Sequence, residues 1–344
     1  MSEEIRSNED AMKQTYNLLC KNKEWETRYA KYAESIEKNE RNYRKIAHEK
    51  FQVNYPLMVY SCISKVKDKG KFSYDLRFFG NSIGTVEINR DGATELKLDK
   101  KKAEALATLN NSLFKDAEKS ITLPWNDDLA SRIRSFFTQE QSYILKILGL
   151  KKKKKKKKKI ESEVLKALSS RDKDIHNIRP VKMGGKFFQL TTPLSASRII
   201  KEGKVSYSSR ARGGGIDILA RSHKRLVVIE LKDENKLNEP QEVVMYQAIS
   251  YATFLAKLLR SKSGKKWYKL LRESKNEADV PKELHIYVVT LMPIKENLQE
   301  GEGSLKDISI DGLNTTLHLF TLYFKEEKNK IVEFTGTFAD YLRK

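Results

Sequence analysis

Two neighbouring segments carry charged residues of the kinds that hold metal ions and activate water. Asp217 lies in a β-like run, and Glu230 and Lys232 lie near the end of the next one. Because side chains alternate along a strand, Glu230 and Lys232 share one face while Leu231 points to the other. Two charges on an otherwise apolar strand are costly to desolvate unless they have partners. A divalent cation held by Asp217 and Glu230 is such a partner.

This set of residues has the chemistry that phosphodiester hydrolysis requires. Carboxylate oxygens are ligands for Mg²⁺ or Mn²⁺, which keep several waters in their coordination shell. The metal lowers the pKa of a bound water and stabilises charge on the reacting phosphate. Lys232 can orient the attacking water and add positive charge where negative charge develops. The alternative is an ordinary surface ion pair on an edge strand.

The elements around these residues are predicted to bring them together. Residues 216–220 and 226–232 read as strands joined by a polar hairpin turn at 221–225. A helix follows at about 240–261 and carries Gln247 and Tyr251, which are one turn apart and share a face. The helix should return these two side chains towards Glu230 and Lys232.

A basic, loop-rich strip at 179–212 leads into Gly213–Gly215 and predicts contact with phosphates. Lys204, Arg210 and Arg212 supply positive charge, and Gly214 would let a nucleic-acid backbone approach closely. The alternative is an exposed basic loop without a partner. No G-K-[ST] follows these glycines, so they do not form a nucleotide-binding P-loop.

Residues 1–150 are predicted to form a separate α+β domain without a catalytic motif. Helical patterns at 8–50, 100–118 and 126–149 flank strand patterns at 57–63, 72–79 and 83–88. An aromatic stripe that includes Trp25 and Tyr29 is typical of a helix face buried in a core. Three roles stay open for this domain: substrate binding, formation of a homodimer, or regulation.

A run of nine lysines, Lys151–Lys159, separates this domain from residues 160–344. Like charges at i and i+4 repel, so the run is a poor isolated helix. Three interpretations of the run stay open: a solvated linker, a tether to DNA phosphates, or the product of slippage in a repetitive coding tract.

Composition predicts a cytoplasmic protein whose basic surplus fits a polyanionic partner, with general solubility as the alternative explanation. The net charge is +21, and the lysine run contributes nine of these charges. No apolar run approaches the ~18 residues of a membrane span, and the polar start MSEEIRSNED predicts neither a secretory signal nor a membrane partner. Two cysteines provide neither a disulfide framework nor zinc-ligand spacing.

The order E…D…E-x-K followed by Q-x-x-x-Y resembles the PD-(D/E)xK nuclease superfamily. Asp217, Glu230 and Lys232 match the superfamily's acidic and E-x-K positions. Gln247 and Tyr251 resemble the additional motif of RecB-like exonuclease domains. Glu161 resembles the first-helix glutamate of archaeal Holliday-junction resolvases, with Glu163 as the alternative.

The resemblance implies an α/β nuclease domain over 160–344, with a restriction-endonuclease-like mixed central sheet flanked by helices. It implies that Asp217, Glu230 and the Leu231 carbonyl bind Mg²⁺, with Mn²⁺ as a substitute, and that Glu161 assists. Lys232 would act on the nucleophile, and Gln247 and Tyr251 would line the site. The expected activity is metal-dependent DNA hydrolysis. Two competing expectations are an inactive nucleic-acid binder on the same fold and an interaction protein assembled through its N-terminal helices.

Overall fold

The computed structural model describes most of the 344-residue chain. The described residues are 4–38, 57–62, 72–78, 81–88, 94–108, 113, 122–149, 160–161, 163–165, 167–168, 178–183, 186–208, 214–232, 239–272, 279–294, 305–327 and 330–343. Lys151–Lys159 and two of the predicted phosphate-binding residues, Arg210 and Arg212, lie outside these ranges.

The described residues form a mixed α/β protein, which confirms the predicted fold class. The helices are α1 (Asn8–Lys21), α2 (Glu24–Lys38), α3 (Lys100–Ala107), α4 (Asp127–Gln139), α5 (Gln141–Ile147), α6 (Ile199–Glu202), α7 (Gln241–Leu259), α8 (Gly264–Arg272) and α9 (Thr337–Arg343). The longer strands are β1 (Leu57–Cys62), β2 (Phe72–Phe78), β3 (Asn81–Ile88), β4 (Thr94–Leu98), β13 (Ile218–Ser222), β14 (Arg225–Leu231), β15 (Leu284–Pro293), β17 (Thr315–Glu327) and β18 (Lys330–Thr335). The shorter strands are β5 (Thr122–Pro124), β6 (Ile178–Pro180), β7 (Lys182–Met183), β8 (Lys186–Gln189), β9 (Thr191–Thr192), β10 (Leu194–Ser195), β11 (Ser206–Tyr207), β12 (Gly214–Gly215) and β16 (Ile308–Ile310).

The chain divides into two compact units, each made of separate segments of the sequence. Unit 1 contains Met1–Ala33, Glu163–Val181 and Gln189–Lys344, and unit 2 contains Glu34–Ser162 and Lys182–Phe188. The N-terminal residues up to Ala33 therefore lie in the same compact unit as Gln189–Lys344.

A seven-stranded mixed sheet forms the centre of unit 1, in the order β16-β17-β15-β14-β13-β6 with β18 beside β17. The three central strands β14, β15 and β17 run parallel, and β13 lies antiparallel to both β14 and β6. Strands β14 and β15 are almost continuously buried, as strands covered on both faces are. The hairpin between β13 and β14 is tighter than predicted, because only His223 and Lys224 lie between the strands.

Helix α7 is buried along most of its length and packs against this sheet. Fifteen of its 19 residues are buried, which is typical of a helix enclosed on all sides. Helix α1 covers it, and the Tyr246 hydroxyl donates to the Arg6 carbonyl at 3.1 Å. None of the helices in the described ranges is both long and apolar enough to cross a bilayer.

The aromatic stripe of α2 explains why the N-terminal residues join unit 1. Trp25 and Tyr29 are fully buried, which confirms the prediction of a core face. Their ring centroids lie 5.5 and 5.1 Å from that of Phe254 in α7. The Trp267 indole in α8 donates to the Tyr29 carbonyl at 3.1 Å. Burial of four large rings in one cluster strongly stabilises this part of the core.

Unit 2 contains a second seven-stranded sheet, in the order β5-β4-β3-β2-β1-β8-β7. Strands β1 to β5 form an antiparallel meander. Asn126 caps α4, and its side chain accepts from the Leu129 amide at 2.8 Å. The single predicted helix over 126–149 is instead two helices, which meet at Glu140.

Candidate active site

Asp217 and Glu230 lie at the same end of the β13–β14 hairpin. Asp217 was predicted to lie within a strand over 216–220, but it stands just before β13 begins. The antiparallel register pairs Ile218 with Ile229, so the next residues outward are Asp217 and Glu230. The Leu231 amide donates to Asp217 Oδ2 at 3.1 Å, which fixes the aspartate side chain against the end of β14.

Lys232 connects three side chains at this end of the sheet. Its ammonium donates to Glu230 Oε1 at 2.8 Å and to Gln247 Oε1 at 2.7 Å. Glu239 Oε2 lies 3.5 Å from the same nitrogen. The contact with Glu230 confirms that the two charged residues of E-x-K share one face. The Lys232 side chain is only 4 % exposed, so an edge-strand surface ion pair does not describe it.

The surrounding carboxylates keep Lys232 positively charged. Burial strips water from its ammonium and acts to lower its pKa, but Glu230, Asp217 and Glu239 together outweigh burial and raise the pKa. Lys232 is therefore cationic at neutral pH. It has three carboxylates in electrostatic contact, so the cluster has an excess of negative charge within the part of the chain that the structure describes.

Helix α7 presents Gln247 and Tyr251 to this cluster from one side. Gln247 is fully buried and accepts from Lys232. Its Nε2 has no hydrogen-bond partner among the residues that the structure describes. Burial, together with the charges of Glu230 and Asp217, raises the pKa of the Tyr251 hydroxyl well above its ordinary value. Tyr251 is therefore protonated and can donate a hydrogen bond.

Gly214, in strand β12, lies so close to Tyr251 that a side chain would not fit there. A Cβ atom at Gly214 would be 2.5 Å from the Tyr251 hydroxyl oxygen and 2.9 Å from the Leu194 carbonyl oxygen. The glycine predicted to approach phosphates thus forms one wall beside the candidate site. At Gly215 the nearest atom would be 3.5 Å away, which is ordinary contact.

No protein-family model, curated protein or solved structure matches this chain. What the cluster can do must follow from its own chemistry and geometry.

The donor atoms of the cluster suit a hard divalent cation. Asp217 and Glu230 provide carboxylate oxygens, and the three carboxylates around Lys232 favour added positive charge. Within the described ranges, no group of three or more histidine, cysteine, aspartate and glutamate side chains could hold a metal ion. A cation bound here would therefore use two carboxylates, the predicted Leu231 carbonyl and water molecules, as Mg²⁺ often does.

Glu161 belongs to unit 2, where it has a partner of its own. It is 1 % exposed, and the Tyr60 hydroxyl on β1 donates to its Oε1 at 2.9 Å. Arg77 stacks 4.6 Å from the centre of the Tyr60 ring and donates to Asp75. A buried network therefore satisfies Glu161 within its own unit, and its catalytic role stays a prediction. Glu163 is half-buried in unit 1.

Sequence reasoning missed Glu239 as a member of the cluster. It lies just before Pro240 and the start of α7, at the end of a polar segment without strand or helix periodicity. Acidic residues at helix starts are common for electrostatic reasons alone, so its position carried no specific signal. Lys204 is exposed after α6, as a phosphate contact should be.

Proposed function

We propose that this protein is a Mg²⁺-dependent nuclease that hydrolyses DNA phosphodiester bonds, with Mn²⁺ able to replace Mg²⁺. The observation that carries the proposal is the buried Lys232 ammonium, shared by Glu230, Gln247 and Glu239 beside Asp217. Maintaining such a charged cluster in a core costs stability. Clusters of this kind are therefore expected where the charged groups perform chemistry.

Each side chain has a role that its contacts support. Asp217, Glu230 and the Leu231 carbonyl would hold the cation. When bound, Mg²⁺ supplies a water of lowered pKa and stabilises charge on the phosphate. Lys232 is held in one position by Glu230 and Gln247, so it can orient the attacking water and stabilise developing negative charge.

Gln247 and Tyr251 would contact the substrate or order water from the side of α7. The buried Gln247 Nε2 is a donor that a phosphate oxygen or a water would satisfy. The protonated Tyr251 hydroxyl is a second donor close to the Glu230 and Asp217 charges. This pair corresponds to the Q-x-x-x-Y motif that resembles RecB-like domains, and Glu161 remains the proposed first-helix glutamate.

DNA is the proposed partner, and a cytoplasmic setting goes with it. Lys204, Arg210 and Arg212 would contact phosphates along a DNA strand, and Gly214 would line the path of the DNA to the candidate site. The net charge of +21 favours a polyanion. Residues in unit 2 could extend the DNA contact or mediate a homodimer.

The second candidate is a catalytically inactive nucleic-acid binder with the same fold. The buried hydrogen bond from the Tyr60 hydroxyl to Glu161 favours it, because this contact already gives Glu161 a structural partner. The combination of Asp217, Glu230 and Lys232 argues against this candidate, because a binder does not need all three residues.

A digestion panel on the purified full chain separates the two candidates. Circular, linear, single-stranded and branched DNA are incubated with Mg²⁺, Mn²⁺ or EDTA. Cleavage that requires the metal and falls by ~10²–10³-fold in Lys232→Ala supports the nuclease. Glu242→Gln, an exposed change in the first turn of α7, is the control and should cleave normally. DNA binding without cleavage under every metal condition supports the binder and refutes the nuclease.

A further inference from the structure

A cationic cavity lies at the opposite end of strand β13 from Asp217. A cavity of about 220 Å³ is lined by Arg179, Arg221, His223 and Arg272. Arg221 is four residues along the strand from Asp217, a separation of about 13 Å. The described lining residues include three guanidinium groups, which are always charged, and no carboxylate.

The strand pairing places two of these arginines directly opposite each other. Arg179 on β6 is the register partner of Arg221 on β13. Like charges at directly opposed positions destabilise an antiparallel pair. An anion between the two guanidinium groups would turn this repulsion into attraction.

Contacts within unit 1 hold the other parts of the cavity wall. The Arg221 guanidinium donates through Nη1 to the Arg272 carbonyl at 2.5 Å, joining β13 to the end of α8. Arg272 donates to the Tyr268 hydroxyl at 3.0 Å, and its guanidinium carbon lies 5.4 Å from the centre of that ring. Two of the three cations are therefore positioned before any ligand arrives, which lowers the entropic cost of binding.

His223 lies on the rim in a backbone conformation that L-residues rarely adopt. Its φ is +51° in the turn between β13 and β14. A non-glycine residue in the left-handed region costs stability, and such residues concentrate at functional sites. Glycine would fit the turn without that cost, so the imidazole is present at a position where it lowers stability.

We propose that this cavity binds a phosphate monoester group, either free or at the end of a nucleic-acid strand. Three guanidinium groups favour a dianion, and a monoester has a second pKa near ~6, so it carries close to two charges at neutral pH. Arginine pairs with phosphate through two parallel hydrogen bonds. The cavity is below the ~300–1,000 Å³ of typical small-molecule sites, so it fits a phosphate group better than a whole nucleotide.

This site does not depend on the proposed nuclease activity. A chain that never cleaves DNA would still bind phosphate at Arg179 and Arg221. Failure of DNA cleavage and failure of phosphate binding are therefore separate results.

Calorimetric titration of the full chain tests the site with three probes at constant ionic strength. The probes are inorganic phosphate, a 5′-phosphorylated oligonucleotide and the same oligonucleotide with a 5′-hydroxyl. Arg179→Gln removes an exposed charge from the cavity, and Lys224→Gln removes one from the same hairpin turn outside the described lining. Loss of charge-assisted hydrogen bonds in Arg179→Gln should weaken phosphate binding roughly 10- to 100-fold. Lys224→Gln should bind as the wild type does.

The three probes also identify the source of the phosphate. A preference for the 5′-phosphorylated oligonucleotide over its 5′-hydroxyl form, lost in Arg179→Gln, assigns the cavity to a strand end. Binding of inorganic phosphate without that preference assigns it to free phosphate. The proposal is overturned if no probe distinguishes wild type from Arg179→Gln, or if Lys224→Gln weakens binding equally.

His223→Gly supplies a second test that a purely structural role would not pass. The variant should unfold at a higher temperature, because glycine tolerates the positive φ, yet bind phosphate more weakly. Unchanged phosphate affinity in a stabilised His223→Gly variant would remove His223 from the site.

Discussion

Replacement of Gly214 by alanine should disturb the candidate site from outside its charged cluster. The new Cβ would lie 2.5 Å from the Tyr251 hydroxyl oxygen, whereas ordinary contact begins at about 3.4 Å. Tyr251 must therefore shift by almost 1 Å, although it is 4 % exposed and lies on a buried helix. The Leu194 carbonyl, 2.9 Å from the Cβ, must move as well.

Overpacking of this kind costs ~1–3 kcal/mol of unfolding free energy. Each kcal/mol lowers Tm by ~2–4 °C in a domain of ~150–250 residues. DNA cleavage should fall at the same time, because Tyr251 is displaced from its position near the charges of Glu230 and Asp217. Differential scanning calorimetry and a cleavage assay on the same protein preparation measure both effects.

Two further variants make the test specific. Gly215→Ala places its Cβ at 3.5 Å or more from every neighbour, so it should leave Tm unchanged or raise it slightly. Adding Tyr251→Phe to Gly214→Ala removes the oxygen at 2.5 Å and leaves the ring atom at 3.4 Å. The double variant should regain part of the lost stability. Equal Tm values for Gly214→Ala and Gly215→Ala would refute this packing argument.

Three other predictions test the core, the charge balance and the DNA contact. Trp25→Ala should lower the unfolding free energy by ~3–5 kcal/mol, because the ring is fully buried beside Phe254. The control Tyr143→Ala, at an exposed position, should change the urea midpoint little. Burial lowers the pKa of His318 despite the opposing charge of Asp307, so the unfolded state binds more protons and unfolding free energy should decrease as pH falls below ~6.5. His318→Gln should flatten that decrease in urea titrations, and parallel pH profiles would contradict it. Lys204→Ala should reduce the slope of log K against log salt for DNA binding by about one, and an unchanged slope would exclude Lys204 from phosphate contact.

Local periodicity was enough to predict which neighbouring residues of the candidate site share one face of a strand or helix. The period of two along β14 places Glu230 and Lys232 together, and the helical period places Gln247 with Tyr251. Both patterns depend only on backbone geometry, so they need no knowledge of tertiary contacts.

Features that depend on distant residues were not predictable in this way. The burial of Trp25 signalled a core, but nothing in its segment indicated Phe254 and Trp267 as neighbours. Consequently no local pattern indicated that Met1–Ala33 and Gln189–Lys344 lie in one compact unit. Glu239 joins the cluster only because the start of α7 lies beside the end of β14, and the opposition of Arg179 and Arg221 follows from a pairing between segments 42 residues apart.

The rate of DNA cleavage by Asp217→Asn is the most direct test of the proposed metal-dependent nuclease. Asparagine keeps a side-chain oxygen that can accept from the Leu231 amide, so the end of β14 should keep its structure. It removes the charge needed to hold the cation. At saturating Mg²⁺ the variant should bind DNA and unfold at the wild-type temperature but cleave no faster than wild type in EDTA. Wild-type cleavage by Asp217→Asn would contradict the proposal.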